Sequence, residues 1–180
     1  MRTDYTVGHS TRTTRELLEL LRAHGVEQVV DVRTIPRSRH NPQFNRPVLS
    51  RSLLAGKLGY RHLKALGGLR HARAASTNLG WRNTSFRGYA DYMQTEGFAA
   101  GLARLERIAR RRPTAIICAE AVPWRCHRSL IADALTVAGW RVLHIQSRRT
   151  ARLHRRTPFL RVRGGTLRYP APRRSAGLPG

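Results

Sequence analysis

Ala115-Ile116-Ile117-Cys118-Ala119-Glu120 leads through Pro123-Trp124-Arg125 to Cys126-His127-Arg128 and then into the segment 129–137, and this stretch decides the fold. The β-branched run behind Pro113 is short and continuous, as a buried strand is. Leu130, Ile131, Ala134, Leu135 and Ala138 then recur at helical spacing until Gly139 interrupts them. The pattern predicts strand, loop and helix. Its polar and reactive residues fall in the turn between the strand's carboxyl end and the helix's amino end. Open α/β sheets hold their ligands at that edge, and helix N–H groups favour anions there.

The same alternation extends outward in both directions. A strand is expected over 5–7, ending in Gly8, His9 and Ser10; Thr13 and Glu16 then form a capping box for a helix that carries Leu17, Leu18 and Leu21 up to Gly25. A second strand over 29–32 contains Asp31 and ends at Arg33. It runs into a polar, proline-bearing loop over 35–47, with a short helix expected over 48–58 and a third strand over 60–63. Residues 69–83 have no period and read as a surface loop with the character of a lid. The segments 86–93 and 95–112 read as helices, the second with Phe98, Leu102, Leu105 and Ala109 on one face. A last parallel strand is expected over 141–145, and 159–162 with 166–169 flank Gly164-Gly165 as a hairpin does. Strands alternating with helices predict a mainly parallel sheet in one α/β domain over 1–169, followed by a loose, Pro-rich basic tail over 170–180. No internal repeat, Walker A loop or G-x-G-x-x-G string is present.

A chain of 180 residues is long enough to bury roughly 70% of its unfolded surface without disulfides. Lys and Arg outnumber Asp and Glu 34 to 10, a formal net charge of +24 with only Lys57 and Lys64 as lysines. So basic a chain is expected to associate with polyanions, so nucleic acid or a nucleotide is the first partner and an acidic membrane surface the second. From residue 146 onward there are ten arginines and no acid. Arg148, Arg149, Arg155 and Arg156, together with Trp81 in a polar loop, are the candidate nucleic-acid surface. Two cysteines do not make a secreted disulfide framework, the amino terminus has no signal pattern, and no apolar run is long enough to cross a bilayer. A cytoplasmic protein with reduced thiols, no membrane span and no cofactor is expected; nothing in the pattern marks an oligomeric state.

If the sheet is parallel, the ends of three strands converge, and His9, Ser10, Asp31, Arg33, Glu120, Cys126, His127 and Arg128 can share one pocket. Asp31 and Glu120 each end an apolar run, where an unpaired carboxylate costs several kcal/mol, so partners such as Arg33 and Arg128 are expected. Asp31, Glu120 and Cys126 are the candidate catalytic residues, and His9, Ser10, Arg33, Ser38, His127 and Arg128 the anion-binding ones. Cys126 has the neighbours to favour a thiolate, namely a helix amino terminus with Arg125, His127 and Arg128, while Cys118 reads as a small core residue. No metal is expected at Cys118, Glu120, Cys126 and His127. Their spacing is unlike a zinc knuckle, and the adjacent residues Cys126 and His127 do not readily face one ion. The acid and proline between Cys118 and Arg125 also argue against a phosphate-cradling loop of the rhodanese or cysteine-phosphatase kind. His62 and His144 read as satisfied sheet-end histidines, and Phe86 and Tyr89 as core.

The strings C-A-E and C-H-R at 118–120 and 126–128 occur together with T-V-G-H-S at 6–10 and D-V-R-x-x-P-x-S at 31–38 with Pro42 and Phe44. Further on come L-G-G at 66–68, F-R-G-Y-A-D-Y-M at 86–93, T-P-F at 157–159 and G-x-L-x-Y-P at 165–170. In these strings the chain resembles the bacterial domain-of-unknown-function 488 family. The resemblance implies a Rossmann-like three-layer α/β sandwich and a residue constellation, and it implies no reaction.

Three functions follow as expectations. The first is an enzyme acting on a phosphate-bearing substrate, with Arg33 and Arg128 holding the anion and Glu120 or Asp31 as general base. The second is a non-catalytic DNA- or RNA-binding module; the third is thiol or sulfur chemistry at Cys126. Two acids beside two arginines favour the first, since a pure binder gains nothing from groups that repel phosphate.

Overall fold

The computed structural model describes residues 2–172, so most of the expected tail, 173–180, lies outside the described residues. Its parallel strands are β1 (Thr3–Gly8), β2 (Gln28–Asp31), β3 (Gly59–His62), β4 (Thr114–Cys118) and β5 (Arg141–Ile145). They lie in the order β3-β2-β4-β1-β5, and β6 (Ala151–Leu153) adds an antiparallel edge beside β5. A separate hairpin, β7 (Arg161–Arg163) and β8 (Thr166–Arg168), turns through Gly164 and Gly165 at φ 52° and 75°. Positive φ at both central residues is what a two-residue hairpin twisted with its strands requires.

Period-2 alternation in the strands sorts their side chains into two layers, and both layers are covered. Val29, Ala115, Ile117 and Val7 pack under α1 (Thr14–Ala23) and α2 (Arg46–Ala55) through Leu17, Leu21, Leu49 and Leu53. Val30, Ile116, Cys118 and Val142 pack under α3 (Thr84–Tyr92), α4 (Glu96–Ala109) and α5 (Arg128–Val137), with Tyr89, Phe98, Leu105, Leu130 and Ile131 against them. This is the expected three-layer arrangement, mainly parallel because both faces are buried. The capping box of Thr13 and Glu16 opens α1 as its sequence predicts.

Three expectations change. The loop read over 35–47 is shorter, because Arg46 and Pro47 already belong to α2, and proline is tolerated in a first helical turn. Strand β6 has no sequence signal, since three residues among arginines are too few to display a period. The loop 69–83 is tied down. Asp91 of α3 accepts hydrogen bonds from the Arg73 amide, Ser76 Oγ and Asn78 Nδ2, and the fully buried Asn78 accepts one from the Tyr169 amide.

The chain leaves β1 for α1 on one face and leaves β4 for α5 on the other. Adjacent strands whose connections part to opposite faces open a crevice at their carboxyl ends, and the candidate site occupies it.

Candidate functional site

Gly8 ends β1 so close to the β4 loop that a Cβ there would fall on the Glu120 carbonyl. This approach lets the His9 and Ser10 amides donate to the carbonyls of Cys118 and Ala119, each at 2.9 Å. The main chains after β1 and β4 are thus locked together before any side chain is considered. Between them and the β2 loop lies a cavity of about 450 Å³.

Asp31 and Arg33 form the expected buried pair. Arg33 donates from Nε and Nη2 to the two carboxylate oxygens at 2.9 and 2.6 Å, and Tyr60 adds a hydroxyl donor to Asp31 at 2.8 Å. Arg33 also donates to the Phe44 carbonyl at 2.9 Å and to His9 Nε2 at 3.2 Å, which commits four of its five N–H groups. Because His9 Nδ1 faces the Ser10 carbonyl at 2.9 Å, that nitrogen carries the hydrogen and Nε2 accepts from Arg33. Burial, and then the Arg33 cation, push the His9 ring below its ordinary pKa, while the Ser10 carbonyl opposes them. The ring stacks on Phe44 at 4.2 Å.

The pair expected between Glu120 and Arg128 is absent. Arg128, 1% exposed, instead donates from its two Nη atoms to the main-chain carbonyls of Glu120 and Ala121, and its Nε has no partner among the described residues. Its helical position turns it inward beneath the loop, where carbonyls are nearer than the carboxylate. The Glu120 carboxylate accepts only the Val122 amide, at 3.2 Å, among the described residues.

The sulfur chemistry is likewise rearranged. Cys126 does not cap α5: a 3-10 turn at Pro123–Arg125 precedes it, and His127 stands between it and the helix. Its buried Sγ lies instead beside that of Cys118, with His127 Nδ1 at 3.7 Å from Cys126 Sγ and 3.9 Å from Cys118 Sγ. Two adjacent sulfurs do not both ionise freely. The Cys126 thiol holds Cys118 well below the usual thiol range against the effect of burial, with His127 and Arg128 assisting. Cys126 is pushed well above that range by Cys118 and by burial. The spacing objection to a shared ion also fails in three dimensions. The donor atoms of Cys118, Cys126 and His127 all lie within 4.8 Å of one another, because the intervening turn folds the chain back.

Of the residues expected at the site, His9, Arg33, Ser38, Glu120, Cys126 and His127 line the cavity, and Cys118 joins them. Asp31 and Arg128 sit behind the wall. Ser10 adopts φ 49° in the turn to α1 and is not part of the lining. Arg37 and Arg125 line the cavity beyond what the sequence predicts, although one lies inside the D-V-R-x-x-P-x-S string and the other adjoins Cys126. Arg148, Arg149, Arg155 and Arg156 are exposed, on and after the β5–β6 turn. Trp81 is half-buried, packed against Phe86 at 4.9 Å, Phe159 at 5.0 Å and Tyr169 at 5.5 Å, and it still lines a surface groove. The exposed indole is that of Trp124, which shares a groove with Arg152 and Arg155. No helix of the described residues is long and apolar enough to cross a membrane.

A family model described as "Domain of unknown function DUF488" matches residues 13–135. No curated protein and no solved structure matches the chain.

Proposed function

The chain belongs to the DUF488 family, and from the chemistry of its own cavity we propose that it is an enzyme acting on a phosphate-bearing substrate, a nucleotide or nucleic acid. The observation that carries this reading is Glu120: a carboxylate engaged by one loop amide lines the same cavity as Arg33, Arg37 and Arg125. Arginines serve any phosphate ligand, whereas an acid among them repels it and is useful there as a proton acceptor. Arg33, held by Asp31, Phe44 and His9, is fixed in orientation, while Arg37 and Arg125 are exposed at the mouth. In this reading the arginines bind the anion, and Glu120 takes a proton from the attacking hydroxyl or water.

Calorimetry with mononucleotides and chromatographic analysis of nucleotide and oligonucleotide products test it together. Arg37→Ala and Arg125→Ala should each weaken mononucleotide binding roughly tenfold. Glu120→Gln should keep or tighten binding while lowering turnover by about 100-fold or more. If no mononucleotide binds and no product forms, the non-catalytic nucleic-acid-binding module takes its place. A second reading, thiol or sulfur chemistry, is favoured by the two sulfurs on the cavity wall. It requires a covalent substrate adduct on Cys118 or Cys126 in the mass spectrum.

A further inference from the structure

We propose that Cys118, Cys126 and His127 form a binding site for one borderline-soft divalent metal ion, zinc by preference, with its fourth coordination position open to the cavity. Two lines of geometry carry this. The first is spacing. A tetrahedral ion with zinc–sulfur bonds of about 2.3 Å and a zinc–nitrogen bond of about 2.0 Å sets its donor atoms about 3.5–3.8 Å apart. The observed nitrogen–sulfur separations are 3.7 and 3.9 Å.

The second is the orientation of His127. Its Nε2 faces the Val32 carbonyl at 3.0 Å, and a carbonyl only accepts, so Nε2 bears a hydrogen and Nδ1 is the atom presented to the sulfurs. A ligating imidazole is held in this way, with its second ring nitrogen donating to a fixed acceptor. Gly68 lies so tightly on the ring that a Cβ there would strike Nδ1, and Tyr89 packs against it with ring centroids 5.0 Å apart. The imidazole is thus locked before any ion arrives.

Arg128 is buried beneath the loop between Cys118 and Cys126 without a carboxylate partner among the described residues. All three ligands line the cavity, so a donor set of two sulfurs and one nitrogen leaves the fourth position for water or substrate in the cavity that Glu120 also lines, as catalytic and not structural zinc sites do. On binding, each thiol that still holds a proton releases it to solvent as its sulfur joins the ion; no electron is transferred.

The inference rests on the proposed function only for the ion's role in activating a bound group; binding of the ion stands by itself. The test uses the full chain, reduced and stripped by a chelator, titrated with Co²⁺ as a spectroscopic probe and then with Zn²⁺ in competition. The expected result is saturation at one equivalent, with a thiolate-to-cobalt charge-transfer band and tetrahedral visible bands that Zn²⁺ abolishes. Cys118→Ser, Cys126→Ser and His127→Gln should each lower affinity by more than about 100-fold. If those variants do not fold, native mass spectrometry of the parent chain decides: one Zn²⁺ per chain, lost when both cysteines are alkylated. Absence of the charge-transfer band in the reduced parent, or uptake that survives alkylation, overturns the site. Ion uptake without nucleotide binding leaves this inference standing and removes the phosphate-substrate reading; nucleotide binding and turnover by the ion-free chain does the reverse.

Discussion

At the scale of single residues, Arg33→Ala would strand Asp31 among apolar neighbours with only the Tyr60 hydroxyl and an amide to hold it, so a loss of about 3–5 kcal/mol is expected in urea unfolding. Arg33→Met combined with Asp31→Leu should recover much of that loss, because the pair's Coulomb gain largely offsets its own desolvation. Asp4 is a different case. It is fully buried on β1, one oxygen accepts the Tyr5 amide and the other has no partner among the described residues, and burial raises its pKa to about 8. A folded-state pKa above the unfolded one means the native state binds the proton more tightly. The contribution to stability is therefore complete below the ordinary carboxyl value of 3.8 and is lost as pH rises from there through about 8. Thermal melts should show the parent losing stability between about pH 4 and pH 8 at this group, and Asp4→Asn flattening that decline; equal slopes in the two proteins would refute the assignment.

At the scale of elements, α5 does two jobs with opposite faces. Its first turn brings Arg128 under the site loop, while Asp133, one turn on, anchors the carboxyl-terminal segment. Asp133 accepts hydrogen bonds from His154 Nε2, the Thr157 amide and hydroxyl, and the Tyr169 hydroxyl, between 2.7 and 2.9 Å. The chain of bonds continues from His154 through His144 to Thr6 on β1, with each group donating toward Asp133. Burial, and next the neighbouring His154, lower the His144 pKa to about 3. That depressed value contributes stability that is full above the unfolded pKa near 6.5 and is lost as pH falls from there toward about 3. Asp133→Ala leaves four donors unanswered and should cost about 3 kcal/mol. Limited proteolysis should then cut first between 146 and 169; cleavage elsewhere would show that the hairpin is held by its aromatic contacts alone.

At the scale of the whole molecule, the chain carries a net charge of +24, and the exposed Arg148, Arg149, Arg155 and Arg156 lie outside the cavity lining. On the reading that the chain binds nucleic acid, the groove lined by exposed Trp124 with Arg152 and Arg155 is where a single strand would stack, and any duplex would be held by the exposed arginines. Neutralising Arg148, Arg149, Arg155 and Arg156 should weaken duplex binding on every sequence alike and flatten the salt dependence by about 0.9 for each phosphate no longer neutralised. Trp124→Ala should instead weaken single-strand binding by roughly 1–3 kcal/mol with little change in that slope. Fluorescence anisotropy at several salt concentrations measures both, and a slope change from the Trp124 variant would mean the groove acts by charge alone.

Much of this protein is legible along the chain. The alternation of β-branched runs with helical periodicity, the Thr13–Glu16 box and the paired glycines at 164–165 are local signals, and each is set by backbone sterics or by hydrogen bonds a few residues long. The convergence of His9, Arg33, Glu120 and the 126–128 string follows from the parallel sheet alone, since its strand ends must share one edge. What only the tertiary structure decided are the partnerships. Arg128 meets main-chain carbonyls and not the Glu120 carboxylate, Cys118 and Cys126 come together on His127, and Trp81 packs while Trp124 is displayed. A charged or sulfur-bearing side chain chooses among neighbours that differ by a few ångströms. Those distances depend on how Gly8 and Gly68 let separate segments touch, so no reading of spacing along the chain contains them.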